Sequence, residues 1–199
     1  DDARLVVTLA RTAAQRGAVL ANRCGVVGVT TDAGGQTNGV VVEADGDQFP
    51  VGARVVVNAA GVWADDVRAL DEGANPDSIR PAKGVHLTIP WEKVRNDIAV
   101  IIPVRSDKRS LFLVPWGPQA DGSYSHCYVG TTDTDHDGGL DDHQTTAVDI
   151  DYVLTALNDA LETTITLADV TGVWSGLRPL VKANAGDEPM GKTADLSRQ

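Results

Sequence analysis

Residues 55–63 read Val-Val-Val-Asn-Ala-Ala-Gly-Val-Trp, a β-branched run that ends in small residues. The run predicts an apolar strand over 54–58, and the residues after it predict a short helix over 62–70. Small residues directly after a buried strand allow a ligand to approach the backbone closely. A tight turn after a core strand is the alternative, and the stretch taken alone favours it.

Upstream of this stretch, the chain predicts one helix followed by a β-meander. The helix spans 3–16, because Leu5, Leu9 and Ala13 recur at helical spacing and Gly17 ends the pattern. β-branched runs follow, separated by turns rich in Gly and Asp. The predicted strands are 18–21, 26–31, 39–44 and 48–58.

Downstream, a polar break over 71–77 that contains Gly and Pro is the best candidate for a domain boundary. A helix is predicted over 145–161, with Ile150, Val153 and Leu157 on one face. The predicted strands are 85–89, 99–102, 110–114, 125–131 and 170–178. Because strands come in runs rather than alternating with helices, the predicted fold class is α+β, a mostly antiparallel sheet packed with helices.

The composition excludes several classes of protein. The 199 residues carry 17 Lys and Arg against 28 Asp and Glu, a net charge of −11, and such a surface repels nucleic acid. No apolar run approaches the ~18 residues of a membrane-spanning helix. Cys24 and Cys127 form no disulfide framework, which favours a reducing compartment. The chain begins without Met and ends without a terminal element, which predicts a segment of a longer protein.

Short motifs for phosphate and metal binding occur, but their physical requirements are not met. Residues 186–193 match the P-loop pattern, yet two acidic residues and a proline fall inside the anion cradle. Residues 133–144 begin like a calcium loop, yet Gln144 stands where calcium needs a bidentate Glu. The four histidines form no His-x-x-x-His pair, so no metal ligand is predicted.

Two segments combine cations with glycine beside a predicted strand. Residues 80–86 read Arg-Pro-Ala-Lys-Gly-Val-His, and residues 174–180 read Trp-Ser-Gly-Leu-Arg-Pro-Leu. In an acidic protein, cations at strand ends beside glycine suggest a site for a small anion. Solvated arginines paired with nearby acids are the alternative, and for any single arginine the more common case.

Six segments, taken in order, resemble the FAD-dependent glycerol-3-phosphate dehydrogenases and together cover nearly the whole chain. Six blocks in register are far more specific than any one motif. The segments are 1–5 (Asp-Asp-Ala-Arg-Leu), 57–64 (Val-Asn-Ala-Ala-Gly-Val-Trp-Ala), 81–87 (Pro-Ala-Lys-Gly-Val-His-Leu), 114–117 (Val-Pro-Trp-Gly), 129–135 (Val-Gly-Thr-Thr-Asp-Thr-Asp) and 174–180.

The resemblance implies part of an FAD-binding domain and a substrate-binding cap domain of the glutathione-reductase-like flavoprotein type. Residues 1–74 would form the rear part of the FAD-binding domain and residues 75–199 the cap domain. The family's Gly-x-Gly-x-x-Gly phosphate loop would lie upstream of this chain, and a Gly-Gly-Lys segment that closes the flavin site would lie downstream. We therefore expect this segment to bind FAD poorly or not at all and to be inactive alone.

The family oxidises the C2 hydroxyl of sn-glycerol 3-phosphate to the ketone of dihydroxyacetone phosphate, with hydride transfer to FAD and electrons passed on to a quinone. The resemblance makes His86 the catalytic base. It makes Arg178 and Arg198 the residues that hold the substrate phosphate. The residues expected beside the flavin are Ala60, where the family commonly has Thr, Gly61, Trp63, Lys83 and Thr131.

The resemblance further implies a role in glycerol metabolism in the cytoplasm, with peripheral contact at the inner face of the membrane through parts outside this chain. It is compatible with a homodimer. Two alternatives stay open, namely a non-catalytic anion-binding or interaction module that borrows the fold, and a related FAD-dependent oxidase of amines or amino acids. Paired arginines favour a phosphate substrate over an amine, whereas the choice between quinone and oxygen as electron acceptor stays open.

Overall fold

The computed structural model describes residues 2–105 and 109–182. Contacts within it divide the chain into two compact units, Asp1–Ala59 with Asp66–Asn75, and Ala60–Asp65 with Pro76–Gln199. Residues 60–63 thus belong to the second unit, whereas the sequence pattern groups them with segment 1–74. The roles of segments 1–74 and 75–199 as flavin-binding and cap domains stay predictions.

The described part of the first unit contains a helix and an antiparallel meander. Helix α1 spans Asp2–Gln15, close to the predicted 3–16. The turn between the second and third strands is Asp45-Gly46, with φ angles of 51° and 88° that suit a tight hairpin. The strands, paired in chain order, are β1 (Gly25–Thr31), β2 (Thr37–Ala44) and β3 (Asp47–Gly52).

Two strands predicted for the first unit are wrong. Residues 18–21 and 54–58 are irregular, and Val55 and Val57 are 75% and 80% exposed. A β-branched run forms a strand only where a neighbouring segment completes its backbone hydrogen bonds. Within the described ranges, no β-ladder includes either segment.

The second unit is built on an antiparallel sheet with strand β4 (Ile79–Pro90) at its centre. β4 pairs with β7 and β8 along one edge and with β9 along the other. Strands β5 and β6 extend the sheet beyond β7. The bounds are β5 (Val100–Pro103), β6 (Ser110–Pro118), β7 (Tyr124–Gly130), β8 (Thr134–Asp135) and β9 (Gly172–Val181).

The described residues contain two further helices, of which the first belongs mostly to the first unit and the second belongs to the second unit. Helix α2 (Ala64–Glu72) follows a single 3₁₀ turn at Gly61–Trp63. Helix α3 (Ala147–Asn158) begins at a capping box, in which the Thr146 backbone N–H donates to Asp149 Oδ2 at 2.8 Å. The predicted α+β class with a mostly antiparallel sheet is confirmed.

One face of the sheet packs against α3 and forms the core. Each large apolar side chain buried there contributes about 1.5–3 kcal/mol. The buried core residues include Val85, Leu87, Ile89, Leu111, Leu113, Cys127 and Val129 from the sheet and Val153, Leu154 and Leu157 from α3. The opposite face of the sheet is therefore the one on which polar and aromatic side chains can meet a ligand.

None of the helices in the described ranges combines the length and the apolarity that crossing a membrane requires.

Candidate functional site

Alternation along β4 separates the predicted base from the core. Side chains of successive strand residues point to opposite faces of a sheet. Val85 and Leu87 are fully buried in the core on the α3 side. His86, between them, consequently points to the other face.

Cross-strand partners of a sheet share a face, which identifies the neighbours of His86. Gly130 on β7 and Trp174 on β9 lie directly opposite it. Arg178, four residues after Trp174 on the same strand, points to this face as well. We call the face that carries His86, Tyr128, Trp174 and Arg178 the site face.

The imidazole of His86 lies among aromatic rings. It stacks on the indole of Trp174, with ring centroids 5.1 Å apart and an interplanar angle of 7°. Tyr128 meets it edge-on at 6.2 Å and 67°. A Cβ added to Gly130 would lie 2.7 Å from His86 Cδ2, so only glycine leaves room for the ring here. Residues of β7 and β9 thus contact the His86 ring from three sides.

The guanidinium of Arg178 is held by the segment that follows β7. Its Nη2 donates to Thr131 Oγ1 at 2.9 Å, and its Nη1 donates to the Thr132 carbonyl at 3.1 Å. Asp133 Oδ1 lies 3.6 Å from Nη1, and the two side chains are 29% (Arg178) and 5% (Asp133) exposed. The guanidinium is therefore oriented by the protein and still accessible to an anion.

Gly84 makes this arrangement of Arg178 possible. A Cβ at position 84 would lie 2.6 Å from both terminal nitrogens of Arg178 and 2.7 Å from Thr131 Oγ1. The guanidinium thus packs directly on the β4 backbone. Any side chain at this position would push it away.

Lys83 lies on the core side of β4 and is not brought together with the site face. Its ammonium is 2.7 Å from Asp149 Oδ2 and donates to the Gln144 carbonyl at 3.0 Å. Burial by itself raises the pKa of Asp149, but hydrogen bonds from Lys83 and Thr146 and the Lys83 charge outweigh it, so the net pKa is below its usual value. The pair ties β4 to the start of α3.

Ala60 is the N-cap of the 3₁₀ turn that contains Gly61 and Trp63, and this turn packs against β4 and β9. Gly61 has a φ of 62°, and a Cβ there would meet nothing within 4 Å. Asp65 anchors the turn, because its carboxylate accepts hydrogen bonds from the backbone N–H of Ser78 at 2.5 Å and from its hydroxyl at 2.6 Å. The turn thus presents open backbone at Gly61, next to the small residue Ala60.

Two predictions fall on residues that the structure does not describe. Arg198, the second predicted phosphate ligand, and the P-loop-like residues 186–193 both lie outside the described ranges.

The acidic segment 133–144 follows a strand rather than a helix. His136 contacts the Gly139 carbonyl at 3.0 Å, and Asp135 pairs with Arg80 at 2.7 Å. In residues 2–105 and 109–182, no group of three or more His, Cys, Asp or Glu side chains is arranged to hold a metal ion.

Sequence reasoning missed several residues that shape the site, namely Tyr128, Trp174, Gly84, Gly130 and Asp133. Each lies within or beside a quoted motif, but its role depends on strand pairing. The available signal was the even spacing of two pairs of residues along their strands. Gly84 and His86 are two positions apart on one strand, and Trp174 and Arg178 are four positions apart on another, so each pair shares a face of the sheet.

Comparison with protein families gives a match over almost the whole chain. The family described as FAD dependent oxidoreductase matches residues 1–195. Glycerol-3-phosphate dehydrogenase 2 of Mycobacterium tuberculosis is 40% identical over 201 residues, which are 100% of this chain and 32% of that protein. The α-glycerophosphate oxidase of Enterococcus casseliflavus is 38% identical over 94% of this chain and 30% of its own length.

A solved structure supports the same fold. The glycerol-3-phosphate dehydrogenase from Bacillus halodurans complexed with FAD superposes with a TM-score of 0.78 at 33% identity, over 98% of this chain and 38% of that chain. The predicted resemblance to FAD-dependent glycerol-3-phosphate dehydrogenases is confirmed by these relatives. This chain spans about a third of the length of the curated relatives that it matches.

Proposed function

Since the chain belongs to the FAD dependent oxidoreductase family, we propose that it is a segment of a flavoenzyme that oxidises sn-glycerol 3-phosphate to dihydroxyacetone phosphate. The observation that carries this proposal is the site face. A histidine and an oriented arginine share this face in a chain 40% identical to a glycerol-3-phosphate dehydrogenase.

The residues predicted to contact the flavin fit a planar group that approaches the backbone. Gly61 adopts a left-handed φ with open space over its Cα, and its neighbour Ala60 is small. Trp63 is 42% exposed, so its indole can pack on such a group. When bound, FAD supplies the two-electron acceptor that receives the hydride from the substrate carbon. Thr131, beside Arg178, is a further candidate for flavin contact, whereas the ion pair of Lys83 with Asp149 favours a structural role for Lys83.

His86 is the base of the proposed reaction. Oxidation of a secondary alcohol removes a hydride from carbon and a proton from the hydroxyl oxygen, so a proton acceptor must lie beside the substrate. Imidazole is suited to that task near neutral pH. The contacts with Trp174 and Tyr128 keep the ring in one place while it accepts the proton.

Arg178 is the proposed phosphate ligand. A guanidinium forms charge-assisted hydrogen bonds with phosphate oxygens in a defined geometry. Because the Asp133 carboxylate already lies 3.6 Å from this guanidinium, its charge is partly balanced. A dianionic phosphate therefore needs a second cation, and we propose Arg198 for it.

Electrons pass on to a quinone in this proposal, and the enzyme acts in glycerol metabolism at the cytoplasmic face of the membrane. A homodimer held peripherally at that face, through parts outside this chain, completes the proposal. The similarity to an α-glycerophosphate oxidase makes oxygen the competing acceptor. Oxygen uptake measured alongside reduction of a soluble quinone separates the two.

Steady-state turnover of the full-length protein with a redox dye tests the function. We expect activity with glycerol 3-phosphate, little with glycerol, and none with amino acids. Replacing His86 by Gln should lower kcat by about 10²–10⁴-fold, the usual contribution of a general base. Replacing Arg178 by Lys should mainly raise KM, because lysine cannot reproduce the paired geometry.

Three results would count against the proposal. Turnover of an amino acid in place of glycerol 3-phosphate would favour an amine or amino-acid oxidase. A wild-type kcat in the His86→Gln variant would show that His86 is not the base. The absence of any flavin-dependent turnover would favour the non-catalytic anion-binding module.

A further inference from the structure

We propose that Trp174 is a positioning residue for the reaction, which acts by setting the ring plane of His86. This inference rests on the proposed function, since it takes His86 to be the base. It adds Trp174 to the residues proposed for the reaction, with an effect that is transmitted through the side chain of His86.

The geometry of the stack supports this role. The two rings are nearly parallel, at 7°, with centroids 5.1 Å apart. The second side-chain torsion of histidine is intrinsically broad, so a free imidazole samples many ring planes. Imidazole nitrogens accept and donate protons within the ring plane. A surface parallel to the ring therefore fixes the plane in which His86 can accept a proton.

Tyr128 and Gly130 contact the His86 ring from other directions than Trp174 does. Tyr128 meets His86 edge-on at 67°, and so contacts the ring without lying parallel to it. A Cβ on Gly130 would lie 2.7 Å from Cδ2 and 3.0 Å from Cγ, so this carbon edge faces β7.

The indole also suits the charge that His86 acquires in the reaction. An aromatic face attracts a cation through the ring quadrupole, and Trp does so most strongly. The imidazolium formed when His86 accepts a proton would lie over such a face. The stack with Trp174 thus restrains the ring plane of His86 and stabilises the imidazolium that forms when His86 accepts a proton.

Ordinary packing accounts poorly for the placement of Trp174. Its side chain is 45% exposed and points away from the core that α3 covers. A large aromatic side chain contributes most to stability when it is buried. Its partners on the site face are instead His86 and Tyr128.

Trp116 offers a matched control on the same face. It meets Tyr128 at 5.8 Å, as Trp174 does at 6.1 Å, and it is also partly exposed. Its ring contact is with Tyr128, so its removal tests the loss of an exposed indole without loss of the His86 stack.

The experiment measures anaerobic flavin reduction by glycerol 3-phosphate in the full-length holoenzyme by stopped flow. The variants are Trp174→Leu, Trp174→Phe, Trp116→Leu and His86→Gln, each checked for flavin content by its visible spectrum. Trp174→Leu should slow reduction at saturating substrate by about 10–100-fold, the usual effect of a misplaced catalytic group. The substrate concentration for half-maximal rate should stay unchanged. Trp174→Phe should restore most of the rate, and Trp116→Leu should match wild type.

The outcomes distinguish the inference from the function it rests on. Wild-type reduction rates in Trp174→Leu, or a loss that Phe does not rescue, would overturn the positioning role while wild type and His86→Gln still behave as proposed. An equal loss in Trp116→Leu would also overturn it. If wild type is not reduced by glycerol 3-phosphate, or His86→Gln is reduced as fast as wild type, the proposed function itself fails.

Discussion

Replacing Gly84 by Ala is expected to displace the guanidinium of Arg178 while leaving the fold largely intact. The new Cβ would lie 2.6 Å from both terminal nitrogens and 2.7 Å from Thr131 Oγ1, well inside contact distance. The guanidinium ends a flexible side chain, so it can swing aside without moving the β4 backbone. The clash is therefore relieved by moving the Arg178 guanidinium out of the position in which it would bind the substrate phosphate.

The hydrogen bonds of Arg178 determine the size of the effect. The displaced side chain would give up its bonds to Thr131 at 2.9 Å and to the Thr132 carbonyl at 3.1 Å. Because the guanidinium then regains water, we expect each bond to cost about 0.5–1 kcal/mol of folding stability, or about 1–2 kcal/mol in total. Loss of a charge-assisted contact with phosphate costs about 2–3 kcal/mol, which is a rise of about 30–150-fold in KM.

The assay compares thermal midpoints and steady-state kinetics of the full-length holoenzyme. Gly52→Ala is the matched control, because this exposed glycine ends β3 and a Cβ there would meet nothing within 4 Å. We expect wild-type KM and stability in the control. Wild-type KM in Gly84→Ala would refute the contact between Arg178 and phosphate, and failure to fold would show that backbone takes up the clash.

Further predictions concern the backbone behind His86 and the buried ion pair. Gly130→Ala should cost more stability than Gly84→Ala, about 3 kcal/mol, because its Cβ would lie 2.6 Å from a β4 backbone carbonyl that cannot swing aside; a loss under about 1 kcal/mol in urea unfolding would contradict this. Lys83→Met should cost about 3–5 kcal/mol, since it leaves the buried Asp149 carboxylate without its counter-charge. The double variant with Asp149→Asn should lose less stability than the sum of the two single losses, and additive losses would contradict the pairing. The pKa of Asp149 is lower in the folded protein, so its stabilisation is present above about pH 4 and is lost as pH falls through the folded pKa. Acid unfolding of Asp149→Asn should accordingly be less steep than that of wild type, and identical curves would refute the assignment.

Local pattern was sufficient to predict most elements of the second unit. The apolar positions Ile150, Val153 and Leu157 predict α3, and β-branched runs predict β5, β6 and β7 close to their observed bounds. The two-residue β8 has no such pattern, because its pairing depends on where the chain returns to β4. The prediction for residues 54–58 fails in the opposite way. Their β-branched residues favour a strand, but no described segment pairs with them, so no strand forms.

The site was predictable in part. The family resemblance predicts His86 as a base and Arg178 as a phosphate ligand, and strand pairing places both side chains on one face. The stack with Trp174 and the close packing at Gly84 depend on register between strands far apart in sequence, which local pattern does not contain. Lys83 illustrates the limit, because adjacency to Gly84 suggests a ligand contact while strand alternation turns its side chain into the core.

The most direct test of the central proposal is the visible spectrum of the full-length protein, recorded anaerobically before and after addition of glycerol 3-phosphate. A flavoenzyme acting on this substrate should be yellow and should bleach on addition. A yellow protein that does not bleach would contradict the proposal that glycerol 3-phosphate is the substrate. A protein that stays colourless with added FAD would contradict the proposal that it is a flavoenzyme.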